Sequence, residues 1–141
     1  MIKVRLIKNK EEYNKVLNIR KKVFIEEQKV SKEIEIDKYE KEAKHIICFY
    51  KEKVVGCARV RWKDNKLKLE RIAVLKQYRS KGIGKAIVKY LISYSKRVKA
   101  KEVFMNAQYY LLEYYNKLGF KTRGKIFYEA KIKHIQMYVR H

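Results

Sequence analysis

The segment Arg79-Ser80-Lys81-Gly82-Ile83-Gly84-Lys85 sets two glycines two apart among three cations, directly ahead of a strongly amphipathic stretch. At a helix start several peptide N–H groups lack partners, and the helix dipole favours an anion. Glycines let such a backbone approach a pyrophosphate closely, while Arg79, Lys81 and Lys85 supply charge. The spacing is neither that of a P-loop nor that of a dinucleotide fingerprint, which needs a third glycine. Taken alone, the same residues also read as a glycine-softened helix start. A second group is acidic: Glu26, Glu27, Glu33, Glu35, Asp37, Glu40 and Glu42 fall close together. They read either as a solvated loop beside a lysine-rich surface or as a place for a cation. Cys48 and Cys57 are the only cysteines, both in strand-like apolar sequence. Two buried thiols in a reducing compartment are expected, not a disulfide. No His/Cys/Asp cluster has metal-ligand spacing, and no metal is expected.

These groups need a scaffold, and the composition supplies one. The chain has 141 residues, 47% of them hydrophobic and 13% aromatic, with no Pro and only 5 Gly. That is enough for one compact domain with its own core, spanning residues 1–141, and it excludes disordered or linker-rich organisation. The formal net charge is +22, unevenly spread: residues 1–52 carry +4 and residues 53–141 carry +18. An anion held by the C-terminal part fits this asymmetry, and so does nonspecific contact with nucleic acid. The N-terminus alternates from Ile2 and lacks the apolar run of a signal peptide, and no stretch approaches the ~20 apolar residues of a membrane span. A cytoplasmic chain with no membrane partner is the expectation.

Periodicity then places the elements. Residues Ile2 to Ile7 alternate and predict a strand, after which Asn9 can cap a helix with Tyr13, Val16, Leu17, Val23 and Phe24 on one face. The acidic stretch from Gln28 to Lys44 predicts a loop or short helix. Two strands follow, His45 to Tyr50 and Val54 to Trp62, joined by a turn at Lys51-Glu52-Lys53. In the second, Val54, Gly56, Ala58, Val60 and Trp62 are expected on one face. Beyond a turn at Asp64-Asn65, Leu67 and Leu69 face one way, but Ile72 and Val74 continue on the opposite parity. A one-residue shift is what a β-bulge produces; a strand buried on both faces is the alternative. Ile83, Ile87, Leu91, Tyr94 and Val98 then predict a long amphipathic helix. Val103 to Ala107 reads as a strand, Tyr109 to Leu118 as a helix with Gly119 as its C′ residue, and two strand candidates close the chain. The order β-α-(loop)-βββ-α-β-α-ββ predicts an α/β fold: a single-domain mixed, mostly antiparallel sheet flanked by helices.

In that context the sequence resembles the GNAT superfamily of acyl-CoA-dependent N-acyltransferases. Ile72-Ala73-Val74 followed by Arg79 to Lys85 is similar to its acyl-CoA signature, and Tyr115-Asn116-Lys117-Leu118-Gly119-Phe120 to its YxKLGF helix ending. Phe24-Ile25-Glu26-Glu27-Gln28, Glu35-Ile36-Asp37, Ala43-Lys44-His45, Asn106-Ala107-Gln108, and Glu129-Ala130 leading to His134 and Met137 resemble the small stand-alone ElaA-like members. The resemblance implies an N-acetyltransferase moving an acetyl group from acetyl-CoA to a primary amine by direct attack. The amides of Ile72 and Val74 would hold the thioester carbonyl and pantetheine arm, with Ala73 between them, and an amide aimed at that carbonyl stabilises developing negative charge. The amides from Ser80 to Lys85 would cradle the pyrophosphate.

Tyr115 is the implied general acid for the departing thiolate. Its position alone also fits a packed face with Leu111, Leu112 and Leu118, and Tyr114 is read as packing. Asn106 hydrogen-bonds either the pantetheine or a strand neighbour. The general base is open among Glu27, Asp37, Glu70, His45 and His134, or a water relay, and an acceptor site is expected around Glu27, Gln28, Asp37, His45 and His134. Many relatives dimerise through C-terminal strands, which makes Ile135 to Arg140 the place to look for a homodimer. Two other readings compete: a basic nucleic-acid-binding domain, and a non-catalytic CoA-binding sensor of the same fold. Against the first, no RRM-like or OB-like interleaving of aromatics with basic residues is present.

Overall fold

The alternating N-terminus forms β1 (Ile2–Leu6) in the computed structural model, which describes residues 1–141. The Asn9 side chain accepts from the Glu12 N–H at 2.9 Å and starts α1 (Lys10–Arg20), which runs straight into a π-helical segment (Lys21–Glu27). Ser31 caps the four-residue α2 (Lys32–Glu35) inside the acidic stretch. Three strands follow: β2 (Lys44–Tyr50), β3 (Lys53–Lys63) and β4 (Lys66–Val74). Then come α3 (Ile83–Arg97), β5 (Glu102–Gln108), α4 (Leu112–Lys117), β6 (Lys121–Glu129) and β7 (Ile132–Arg140). A single seven-stranded sheet has the order β1-β2-β3-β4-β5-β7-β6, and only β4 and β5 pair parallel. The predicted element order and mixed sheet are found.

Helices cover both faces. On one, Ile83, Ile87, Leu91 and Tyr94 of α3 pack with Leu67, Leu69, Val103, Met105, Ala107 and Phe120. On the other, Val16, Ile19 and Val23 of α1 and the π-helical segment pack with Ile47, Cys57 and Ala73. Ile19 is 3% exposed and belongs to the buried stripe, although its place on the face was not foreseen. One further expectation is corrected. A register shift between Cys48 and Phe49 lets β3 bulge at Val55, so Val54 packs on the α1 side while Ala58 and Val60 face α3. Strand β7, carrying Ile135 to Arg140, lies between β5 and β6, so its backbone offers no free edge to a second copy. That edge belongs to β6.

Part of the acidic stretch is bound inside the protein: Glu35, Asp37 and Glu40 meet buried arginines, while Glu26, Glu33 and Glu42 stay exposed. Arg20 and Arg59 are 1% and 0% exposed. Arg20 reaches Glu35 and Glu40 at 2.7 Å each, and Tyr13 donates its hydroxyl to Glu40 at 2.6 Å. Arg59 meets Asp37 at 2.7 Å, Glu40 at 2.9 Å and Glu70 at 2.8 Å, and Arg61 reaches Glu70 at 2.9 Å. Four carboxylates are thus spent on buried guanidinium groups. Burial pushes Asp37 and Glu40 upward, but hydrogen bonds from Arg59 to Asp37 and from Arg20 and Tyr13 to Glu40 hold both at about 2. Depressed carboxylates stabilise the fold above their ordinary values of 3.8 and 4.5, and this contribution disappears as the pH falls toward about 2. Arg59→Met leaves three carboxylates without their common partner, and urea unfolding at pH 7 should show a loss of ~3–5 kcal/mol. The same variant should lose less stability than the wild type between pH 5 and pH 3.

Candidate active site

Strands β4 and β5 stay paired over four residues only, Lys66–Leu69 with Glu102–Met105. Beyond them β4 continues to Val74 and β5 to Gln108 without pairing to each other, which opens a wedge in the middle of the sheet. The cause lies one residue further on. Between Cys57↔Ala73 and Arg59↔Glu70, one residue of β3 opposes two of β4, Arg71 and Ile72. This is the expected bulge, and Arg71 takes the left-handed conformation at φ 56. A bulge bends its strand and increases the twist, turning β4 away from β5. It also returns Ile72 and Val74 to the α3 face beside Leu67 and Leu69, while Ala73 points to α1.

At the wedge lies the start of α3. Ser80 and Gly82 are left-handed at φ 71 and φ 80. No peptide N–H from Ser80 to Lys85 has a backbone acceptor, no side chain caps the helix, and the first bond runs from Ala86 N–H to the Gly82 carbonyl. Six consecutive donors at the positive end of a 15-residue helix form a cradle for an anion. Gly82 is a glycine for its backbone, since a Cβ there would meet nothing within 4 Å. At Gly84 a Cβ would lie 2.9 Å from the Tyr114 hydroxyl, so Tyr114 packs over the helix start and glycine leaves it room. Arg79 is turned aside. Its Nε donates to the Val74 carbonyl at 2.9 Å, and its other nitrogens grip Glu27 at 2.7 and 3.0 Å.

Tyr115 reaches the same face from α4. The YxKLGF ending is a Schellman cap: Phe120 N–H donates to the Tyr115 carbonyl at 3.1 Å and Gly119 N–H to that of Asn116 at 3.0 Å. Gly119 supplies the left-handed C′ residue at φ 103. The Tyr115 and Phe120 rings meet edge-on, 5.9 Å apart. Cap and ring contact hold Tyr115, 6% exposed, in one place. Burial pushes its hydroxyl well up, with smaller contributions from Tyr114 and Tyr110.

The opposite face of the wedge is strapped by consecutive residues of the π-helical end. Glu27 ties to Arg79 beside β4, and Gln28 accepts from Gln108 at the end of β5 at 3.0 Å. Gln108 pairs across the sheet with His134, and His134 with Phe127. Asn106 bonds strand neighbours, donating to Glu129 and accepting from Gln136, both at 3.4 Å. The structure therefore gathers Glu27, Gln28 and His134 around the wedge. It does not bring Asp37 or His45 there. Asp37 is bound to Arg59, and His45 Nε2 sits 3.2 Å from the Glu40 carbonyl oxygen, away on β2. Sequence reasoning did not assign Gln108, although its alternation with Ala107 put it on the face opposite α3. Cys57 is buried, with its thiol pushed up to about 12 by desolvation, an environment that disfavours the thiolate.

Comparison with known proteins identifies the family and the fold. The family described as "Acetyltransferase (GNAT) domain" matches residues 8–141. The chain belongs to the GNAT acetyltransferases. This GNAT domain is 40% identical over 137 residues to a Bacillus subtilis protein named uncharacterized N-acetyltransferase YjcF, covering 96% of this chain and 98% of that one. Its fold matches Escherichia coli ElaA at a TM-score of 0.84 and 23% identity, over 98% and 99% of the two chains. It also matches a Bacillus subtilis acetyltransferase solved in complex with CoA, at a TM-score of 0.72 and 17% identity, over 100% and 99%. No helix of this GNAT domain is long and apolar enough to cross a membrane.

The cradle yields a direct expectation. Gly82→Ala keeps the space but penalises the left-handed backbone by roughly 1–2 kcal/mol. Gly82→Glu adds a like charge for a phosphate. Calorimetry should show CoA binding weakened about tenfold in the first and lost in the second.

Proposed function

We propose that this GNAT domain transfers an acetyl group from acetyl-CoA to a primary amine by direct attack in a ternary complex. The observation that carries the proposal is the six-amide cradle from Ser80 to Lys85, opening onto parted strands with Tyr115 fixed beside them. The residues fit the donor. Unpaired N–H groups and the cations Lys81 and Lys85 suit its phosphates, and the edge of β4 at Ile72, Ala73 and Val74 suits its amide-bearing arm. Acetyl-CoA supplies the activated thioester carbonyl. An unpaired β4 amide facing that carbonyl stabilises charge developing on its oxygen. Tyr115 holds a proton at its hydroxyl and gives it to the leaving sulfur. Burial keeps the phenol neutral through the working pH range, and it disfavours the charged thiolate for the same reason.

The amine approaches from the side of Gln28 and Gln108, across the sheet from Tyr115. The donor's negative charge suits the +18 carried by residues 53–141. Two free, buried thiols at Cys48 and Cys57 support a reducing, cytoplasmic setting. Replacing Tyr115 with Phe separates an enzyme from a CoA-binding sensor. We expect acetyl transfer to fall ~10²–10⁴-fold, with acetyl-CoA affinity by calorimetry unchanged; equal turnover in both proteins would remove Tyr115 from the mechanism.

A further inference from the structure

An amine acceptor must lose a proton before it attacks, and four of the five sequence candidates for that task are already engaged. Glu27 accepts both bonds from Arg79. Asp37 is held by Arg59, and Glu70 by Arg59 and Arg61. His45 lies against the Glu40 carbonyl, with its Nδ1 sealed from solvent on β2.

His134, though buried and held at Nδ1, keeps its second ring nitrogen free. It sits directly across from Gln108, whose side chain bonds Gln28 in the strap over the wedge. Its strand neighbour Ile135 and the paired Ala107 line the α3-side core, so alternation puts His134 and Gln108 on the acceptor face. The ring stacks on Phe127 at 5.7 Å and 23°, which fixes its plane. Its Nδ1 is 2.6 Å from the Ile132 carbonyl oxygen. A carbonyl oxygen only accepts, so the proton resides on Nδ1 and the lone pair on Nε2. Nε2 makes no hydrogen bond within the chain, and it is not one of the side-chain atoms sealed from solvent. Tyr115 packs with the α3-side core. The acid and this imidazole therefore lie on opposite faces of the sheet, with the parted strands between them.

The geometry points to His134 Nε2 as the general base that deprotonates the acceptor amine, with the Ile132 carbonyl setting its tautomer. This rests on the acetyl-transfer reading above. The nitrogen sheds two protons in the reaction. His134 takes one from the ammonium and releases it to water. The amine's electron pair forms the N–C bond, and the C–S pair departs with sulfur, which is protonated by Tyr115. The second nitrogen proton restores the Tyr115 hydroxyl. Several charged or titratable groups belong to the elements beside His134. Lys133 lies over the Tyr109 ring at 4.4 Å, Glu129 accepts from Asn106, Glu27 is paired with Arg79, Tyr128 pairs across from Lys133, and Glu26, Lys29, Tyr110 and Lys131 lie in the adjoining turns and segments.

The test compares wild type with His134→Gln, using acetyl-CoA and a panel of spermidine, L-lysine, glycinamide and benzylamine, with released thiol as the readout. We expect kcat/KM for the best amine to fall ~10²-fold at neutral pH, with acetyl-CoA affinity unchanged. The deficit should shrink as rising pH deprotonates the amine itself. A loss equal at every pH would overturn the role of base. Nitrogen-15 spectra of the imidazole give an independent arm that needs no acceptor: neutral His134 should be protonated at Nδ1, and an Nε2–H tautomer would overturn the proposal. Wild-type protein that binds acetyl-CoA but acetylates none of the amines would instead fail the enzymatic reading, and the base would fall with it.

Discussion

The architecture depends on the left-handed backbone of Arg71. A non-glycine residue in that conformation is strained, and it persists only where its surroundings over-determine it. Here they do. The guanidinium of Arg71 donates to the Glu35 carbonyl at 3.0 and 3.2 Å and to that of Ile34 at 3.2 Å, and it meets the Asp37 carboxylate at 3.3 Å. Those acceptors belong to α2 and the loop after it, which Arg20 and Arg59 bolt down in turn. The bulge turns β4 from β5, and the wedge brings the α3 cradle, Tyr115 and the acceptor face to one opening.

This gives the acidic stretch a meaning opposite to one suggested by its charge. Glu35, Asp37 and Glu40 do not wait for a cationic ligand; they secure the peptide that fixes the bulge. Such a buried network is poor value as stability, because desolvation offsets much of the attraction. Its worth lies in geometry, since a well-satisfied set of ion pairs admits few alternative placements of α2. The strap at Glu27 and Gln28 extends the same principle, joining both walls of the wedge through adjacent residues.

How much was legible followed the range of the interactions. The α3 helix, the cap at Gly119 and the register break in β4 are local patterns of period and turn chemistry, and each can be read along the chain. The YxKLGF ending could be read as well, although only coordinates show it to be a Schellman cap that fixes Tyr115. The ion network could not be read: Arg59 and Asp37 are 22 residues apart and Arg71 and Glu35 are 36 apart. Charge in a sequence carries no record of its partner. The face of Val54 failed for a different reason: a bulge at Val55 changes parity, and Gly56 beside it reads as an ordinary member of the strand face. The fate of Asp37 and His45 was hidden in the same way, while Gln108 was visible by alternation but lacked a reason to be chosen.

The account stands on one claim, that the amides from Ser80 to Lys85 and the parted edge of β4 form a single donor-binding surface. Titrating CoA into nitrogen-15-labelled protein and following every backbone amide tests it most directly. Saturable shifts should concentrate at Ser80–Lys85 and at Ile72–Val74, with little change along β1 or β2. Shifts spread over the lysine-rich surface and abolished by moderate salt would contradict it, leaving only the attraction of a basic protein for a polyanion.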